Sequence, residues 1–238
     1  MNARLDSLRN LRLLLSAEHN CSYLPGRPAR HLVADPLVVD NQVYSHLATL
    51  GFRRSGDHVY RPHCRSCKAC LSLRIPVRAF RPNRSQRRTW SRNRDLHVRR
   101  LKPVFDFEHY QLFSRYLQVR HPGGGMDDSS PESYLSFISA DWSDTLLYEF
   151  RRGGRLLAVA IVDRLDNGLS AVYTFFDPAE AARGLGTYAI LWQLAEARRL
   201  NLEWVYLGYW VQECHKMAYK ANFRPHQVFV GGGWIEVG

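Results

Sequence analysis

Apolar residues between positions 145 and 176 fall into three β-rich runs, 145–150, 156–163 and 169–176, split by Arg152-Gly153-Gly154 and by Asp166-Asn167-Gly168. Asn-Gly between two such runs is a tight-hairpin signal, because the favoured turn needs positive φ at both central residues. The spacing therefore predicts an antiparallel meander. Beyond it, residues 179–200 read as a helix broken early by Gly184 and Gly186, followed by a strand over 204–210 and a short helix over 212–220. Ahead of it, 107–119 and 131–140 carry helical periodicity, with the glycine-rich loop His121-Pro122-Gly123-Gly124-Gly125-Met126-Asp127-Asp128 between them. The tail Gly231-Gly232-Gly233-Trp234 is expected to fray.

The first hundred residues are less regular. Residues 11–17 predict a strand, because turn chemistry follows at Cys21-Ser22-Tyr23-Leu24-Pro25-Gly26. Apolar residues at 37, 38, 43, 44, 47 and 50 predict a helix over 36–51, stopped by Gly51. Residues 58–60 and 71–77 read as strands, 84–94 as an arginine-rich loop or exposed helix, and 96–101 as an alternating strand. The sum is an α+β chain.

Charge sharpens the division. Residues 1–102 carry 21 Lys/Arg against 6 Asp/Glu, a net +15, while residues 103–238 carry 12 against 16, a net −4. A basic α/β domain over 1–102, holding most of the cysteines, and a second domain over 103–238 are expected. The basic half calls for a polyanionic partner. Only Lys68, Lys102, Lys216 and Lys220 among the 33 cationic residues are lysines. The guanidinium fork suits phosphate, although a GC-rich genome also favours arginine. At 45% hydrophobic the chain has enough apolar material for a substantial core. No apolar run approaches the roughly 20 residues of a membrane span, and no secretory signal is visible, so a cytoplasmic protein with no membrane partner is expected.

The meander followed by a helix resembles the GNAT-like acyltransferase fold. Arg183-Gly184-Leu185-Gly186-Thr187-Tyr188 is close to that fold's acyl-donor loop, and Ala218-Tyr219-Lys220-Ala221-Asn222-Phe223 is similar to its tyrosine-bearing end. A coenzyme-A-dependent N-acetyltransferase is therefore one reading, and an RNA-binding module built on the arginines another. More specific are Cys21-Ser22-Tyr23-Leu24-Pro25-Gly26-Arg27, Tyr60-Arg61-Pro62-His63-Cys64-Arg65-Ser66-Cys67-Lys68-Ala69-Cys70 and Leu73-Arg74-Ile75-Pro76-Val77. With Val172-Tyr173-Thr174-Phe175-Phe176-Asp177-Pro178 and the segment from Tyr206 to Lys220, they resemble the bacterial aminoacyl-tRNA–protein transferases of the arginyl-tRNA–protein transferase family. The resemblance covers roughly residues 10–226. It implies a GNAT-like half, no coenzyme A, and transfer of leucine from leucyl-tRNA to proteins with N-terminal Asp or Glu, marking them for N-degron degradation. Eukaryotic relatives use arginyl-tRNA, which keeps arginyl transfer as an alternative.

Such a reaction is the attack of an α-amine, with a pKa near 8, on an activated ester, so positioning and oxyanion stabilisation should supply most of the rate. Asp177 is the first candidate for proton transfer or ammonium anchoring, or else a cap before Pro178; Glu149 and Asp163 are further carboxylates, and Tyr173 contacts the ester or packs in the core. An acidic acceptor asks for bidentate arginines, and Arg27, Arg74 and Arg78 lie in or near the N-terminal motifs. Arg84, Arg87 and Arg88 around Trp90, with Lys216, Tyr219 and Lys220, are the candidate tRNA contacts. Cys21, Cys64, Cys67 and Cys70 are candidates for a structural zinc site, or are buried or redox-sensitive thiols. Cys214 stands alone in the C-terminal motif.

Overall fold

The three β-rich runs form the meander at the middle of a large sheet. In the computed structural model, residues 11–120 and 130–237 are described; the predicted glycine loop at 121–128 lies outside them. β9 (Thr145–Arg152), β10 (Arg155–Arg164) and β11 (Gly168–Phe176) pair antiparallel in sequence order, with β8 (His97–Leu101) on the β9 edge. β12 (Trp204–Trp210) joins β11 in parallel. β7 (Leu71–Pro76) pairs antiparallel with β12, and β13 (His226–Val230) and β14 (Gly233–Val237) complete the order β14-β13-β7-β12-β11-β10-β9-β8.

Two of these eight strands, β7 and β8, lie before residue 103, so the boundary expected there does not divide the sheet. Strand pairing crosses the change in charge. A four-stranded sheet stands alongside, in the order β1 (Leu13–Leu15), β4 (His31–Ala34), β6 (His58–Pro62), β5 (Arg53–Ser55). A ribbon of β2 (His19–Asn20) and β3 (Pro28–Ala29) precedes it.

Helices cover both faces of the large sheet. Alternate residues of β10 separate the two: Ala158, Ala160 and Val162 join one apolar cluster, and Val159 and Ile161 another. The first face packs α5 (Leu185–Arg199) through Leu185, Ala189 and Leu194, and takes Trp90 of α2 (Arg84–Arg92) at its rim. The second packs α3 (Phe107–Arg120) and α4 (Pro131–Ile138) through Leu112, Phe113, Tyr134 and Ile138. On β12, Val205 belongs to the first cluster, while Tyr206 joins a third with Val43, Tyr44 and Leu47 of α1 (Asn41–Thr49). The four-stranded sheet and α1 therefore lie on the face opposite α2 and α5. Among the described residues no helix is long and apolar enough to cross a membrane.

Several expected helices are shorter. The helix over 36–51 becomes a 3-10 turn at Pro36–Val38 and then α1, because the Asp40 side chain accepts the Val43 N–H and starts a new helix. The helix over 179–200 divides at Gly184, which takes φ +65° between a 3-10 segment at Pro178–Arg183 and α5. The helix expected over 212–220 is replaced by successive turns, Cys214 N–H to Val211 O and Met217 N–H to Cys214 O, and a 3-10 turn at Ala218–Asn222. The 84–94 segment is helical because Asn83 and Gln86 form a reciprocal capping box. The glycine tail is not frayed: Gly231 and Gly232 turn β13 back into β14, and Trp234 Nε1–H donates to Thr49 O at 2.7 Å.

Candidate active site

A gap in the large sheet is the place where polar groups converge. β11 and β12 are in register only at Gly168/Trp204, Leu169/Val205 and Ser170/Tyr206. Beyond that the strands run on without pairing each other. Each carries a bulge at the point of separation: Val172 is the extra residue of β11 against β10, and Leu207 the extra residue of β12 against β7. Bulges bend a strand and release its carbonyls from the ladder. The chain at Gly208 then takes φ +72°, a conformation glycine adopts without strain.

Arg53 of β5 reaches into this gap. Its Nη2 donates to the released Val172 carbonyl at 3.3 Å, and a Cβ on Gly208 would sit 2.9 Å from its Nη1. Tyr209 OH donates to Tyr60 O at 2.7 Å, tying β12 to the four-stranded sheet. Lys220 is buried, and its Nζ donates to Tyr209 O at 2.6 Å. Burial first, and then the positive charge of Arg53, push the Lys220 amine down to about 7. An amine with that basicity exists in both protonation states near neutral pH.

The expected catalytic carboxylates are each engaged by partners of their own. Asp177 is a cap: its Oδ1 accepts Ala179 N–H at 3.0 Å, and its Oδ2 pairs with Arg155 at 2.6 Å. Glu149 is buried in a charged network, accepting from His109 Nε2 (2.6 Å) and from Arg151 Nε (2.8 Å). Burial alone would raise this carboxyl, but the bonds from Arg151 and His109 outweigh it and hold it down at about 2. Asp163 is committed to Arg54. Tyr173 borders the gap on β11, with its ring 5.1 Å from Phe137 and 6.2 Å from Tyr116.

The expected acceptor arginines also separate. Arg74 is clamped between two indoles, its Cζ 3.6 Å from the Trp204 centroid and 4.1 Å from that of Trp234, while Nε donates to Gln227. Arg74→Ala is expected to cost about 1–2 kcal/mol of stability through lost cation–π packing and to leave peptide kinetics as in the parent, measured by urea denaturation and kcat/KM. Arg78 is exposed and donates to Asn201 Oδ1 at 2.9 Å. Arg27 pairs with Glu213 at 3.4 Å at the surface.

Arg84, Arg87 and Arg88 do form an exposed row on α2. Trp90 is half-buried and packs 5.4 Å from Tyr188. Lys216 and Tyr219 are exposed, but Lys220 is withdrawn from the surface. The donor-loop arginine, Arg183, pairs with Asp95 at 2.9 Å and Glu180 at 3.1 Å.

The cysteines gather without closing a metal site. Burial, and then the thiols of Cys21, Cys64, Cys67 and Cys214, raise Cys70 to about 12, so the other four lie within electrostatic reach of Cys70. Their sulfurs turn to different partners: Cys21 accepts Leu24 N–H, Cys64 donates to Arg30 O, and Cys67 accepts from Arg27. Among the described residues no three His, Cys, Asp or Glu side chains are arranged to hold a metal ion.

Nothing in the sequence pattern singles out Arg53. It is one of two adjacent arginines in a three-residue strand, and only the fold sends Arg54 to Asp163 and Arg53 to the gap.

Known proteins resemble this chain over nearly its whole length. Residues 19–88 match the pattern described as "Arginine-tRNA-protein transferase, N terminus", and residues 108–230 match its C-terminus counterpart. An aspartate/glutamate leucyltransferase of Pseudomonas fluorescens is 50% identical across 97% of this chain and 99% of its own length. The protein of that name from Nitrosococcus oceani is 54% identical across 97% and 98%. Among solved structures, the C-terminal DUF2156 domain of an Agrobacterium fabrum chain assigned as a lysylphosphatidylglycerol synthetase matches with a TM-score of 0.51 and 18% identity, over 79% of this chain and 65% of that one. It supports a shared mixed α/β sheet architecture.

Proposed function

The chain belongs to the arginine-tRNA-protein transferase family, and we propose that it moves leucine from leucyl-tRNA to the α-amine of proteins beginning with Asp or Glu. Relatives 50–54% identical over almost their full length are named aspartate/glutamate leucyltransferases. The observation that carries the local reading is the gap between β11 and β12, where Arg53 and Lys220 converge beside a bulged, glycine-bearing strand. The meander and the single parallel pair next to the gap are read as a GNAT-like acyltransferase sheet. Leucyl-tRNA places the reaction in the cytoplasm.

The two faces of the sheet divide the work. The row Arg84, Arg87 and Arg88 lies with α5 on one face and receives the tRNA backbone; the protein N-terminus approaches from the face of the four-stranded sheet. The aminoacyl ester enters the gap between them, and the ester supplies its own activation, so no coenzyme is invoked. The incoming α-ammonium must lose a proton before it attacks the ester carbonyl. Lys220, with its amine held at about 7 by burial and Arg53, takes that proton and returns it to the departing tRNA hydroxyl. After the attack the nitrogen still carries one surplus proton; as the tetrahedral intermediate collapses, the ester C–O bond breaks, the departing tRNA oxygen takes the proton held by Lys220, and the surplus proton on nitrogen passes to solvent, leaving the peptide bond.

A transfer assay offering labelled leucyl- and arginyl-tRNA to peptides beginning with Asp, Glu, Lys and Arg tests the reading. Leucine on the Asp and Glu peptides alone is expected; arginine on them instead would move the chain to the arginyl branch. Changing Arg84, Arg87 and Arg88 together to Ala is expected to weaken tRNA binding about 10-fold near physiological salt and to flatten its log–log salt slope by about 2. An unchanged slope removes α2 from the interface.

A further inference from the structure

Arg53 and Lys220 meet in the gap, and among the described residues no carboxylate pairs with either. Arg53 is half-buried, and among the described residues its hydrogen bonds go to backbone carbonyls only, Val172 O at 3.3 Å and Arg54 O at 3.5 Å. Neither satisfies Nη1, which lies on the Gly208 side of a small cavity lined also by Ser72, Ser170, Tyr206 and Trp234. Its strongest electrostatic neighbours are the hydroxyl-bearing rings of Tyr60, Tyr23, Tyr209 and Tyr44. The second cation, Lys220, is buried within its field. Neighbouring Arg54, by contrast, is fully balanced by Asp163. A cation withdrawn from water without a counter-charge costs stability, and an arriving anion offsets that cost.

We propose that Arg53 is the specificity-determining residue for the acceptor, binding the side-chain carboxylate of its first residue, Asp or Glu. The inference rests on the transferase reading above and assigns the acidic specificity to one side chain. The competing anion is a tRNA phosphate, and the topology argues against it. Arg53 sits on the α1 and four-stranded-sheet side of β12, with Tyr206, whereas the exposed arginines of α2 lie on the α5 side. A guanidinium matches a carboxylate in a bidentate fork, so the reader distinguishes Asp from Asn, whose amide presents a donor where the second oxygen would be. Gly208 keeps the approach open, because a methyl there would press on Nη1.

The test compares kcat/KM for peptides beginning with Asp, Glu, Asn and Gln, and measures leucyl-tRNA binding, in the full chain and in Arg53→Gln and Arg53→Lys. Arg53→Gln is expected to lower the Asp-over-Asn and Glu-over-Gln ratios by about 10- to 100-fold, the range of a lost charged hydrogen bond. Leucyl-tRNA affinity should stay within about 2-fold of the parent, which also reports that the variant is folded. Arg53→Lys, keeping the charge but not the fork, should retain an intermediate ratio. An unchanged ratio in Arg53→Gln overturns the assignment. So does a uniform loss across all four peptides accompanied by weaker tRNA binding, which would make Arg53 a phosphate contact. If the parent chain transfers leucine to none of the peptides while binding the tRNA, the transferase reading fails first and takes this inference with it.

Discussion

Asp163→Ala is expected to destabilise the chain by about 3–5 kcal/mol, the cost of leaving one partner of a buried ion pair unpaired. Arg54 and Asp163 both have side chains at 0% exposure, and Arg54 Nε and Nη2 each donate to a carboxylate oxygen at 2.8 Å. Thr145 Oγ1–H fills a further acceptor site on Asp163 at 2.7 Å, and Arg54 Nη1 donates to Gly56 O at 2.7 Å. Removing the carboxylate strands a guanidinium in a dry interior. For a chain of this length the loss corresponds to a drop of the order of 10 °C in Tm. The pair also carries β5 of the small sheet against β10 of the large one, and β5 bears Arg53. Transfer to acidic peptides should therefore fall with stability, since the reader moves with its strand. The double change Arg54→Met with Asp163→Leu should recover most of the stability, because an apolar pair of similar volume avoids the desolvation of two ions. A loss under about 1 kcal/mol in the single variant would show that water reaches the pair.

The meander was legible because its signals are local. Three β-rich runs and an Asn-Gly turn mark out 145–176 without reference to the rest of the chain, and β9, β10 and β11 follow. Long-range pairing left no such trace. β7 reads as a strand, yet nothing near it says that it lies between β12 and β13, across the change in charge. The glycine tail misled for a related reason: Gly231-Gly232 is turn chemistry, and its meaning depends on Trp234 finding Arg74 and Thr49 across the sheet. Arg74 and Asp177 sit in the shared motifs and serve as a clamp and a cap. Arg53 lies outside the motifs quoted for the resemblance, and only the opening of β11 from β12 gives it a role. Lys220 lies in a segment expected to be helical and exposed, and in the 3-10 turn found there its side chain is buried.

Lys220→Met is expected to separate stability from function. Folded, the amine titrates at about 7; unfolded, it titrates near 10.4. Below pH 7 both states are protonated and the folded chain carries the full cost of a charged, buried amine. Between about 7 and 10.4 the unfolded state binds more protons, so stability rises with pH across that window. The difference between about 7 and 10.4 sets the cost at about 5 kcal/mol, while the lost bond to Tyr209 O is worth about 1 kcal/mol. Lys220→Met should thus be more stable than the parent by about 3–4 kcal/mol at pH 6.5, and the advantage should vanish by about pH 10. Arg53 on β5 lowers the amine and Cys214, in the turns before the 3-10 segment, raises it, so the midpoint is a property of the site as a whole. If Lys220 takes the proton of the acceptor amine, the more stable variant is also the slower one: kcat should fall by about 10²–10⁴, and the limb of the pH–rate profile near 7 should disappear. A carboxylate docked on Arg53 would partly cancel the charge that depresses Lys220 and make it a stronger base when an acidic acceptor is bound. The limb should therefore lie at higher pH in kcat than in kcat/KM for the parent chain. Equal limbs in the two profiles would show that Lys220 does not sense the acceptor's charge, and a Lys220→Met variant that keeps both limbs and its rate would assign the proton transfer to another group.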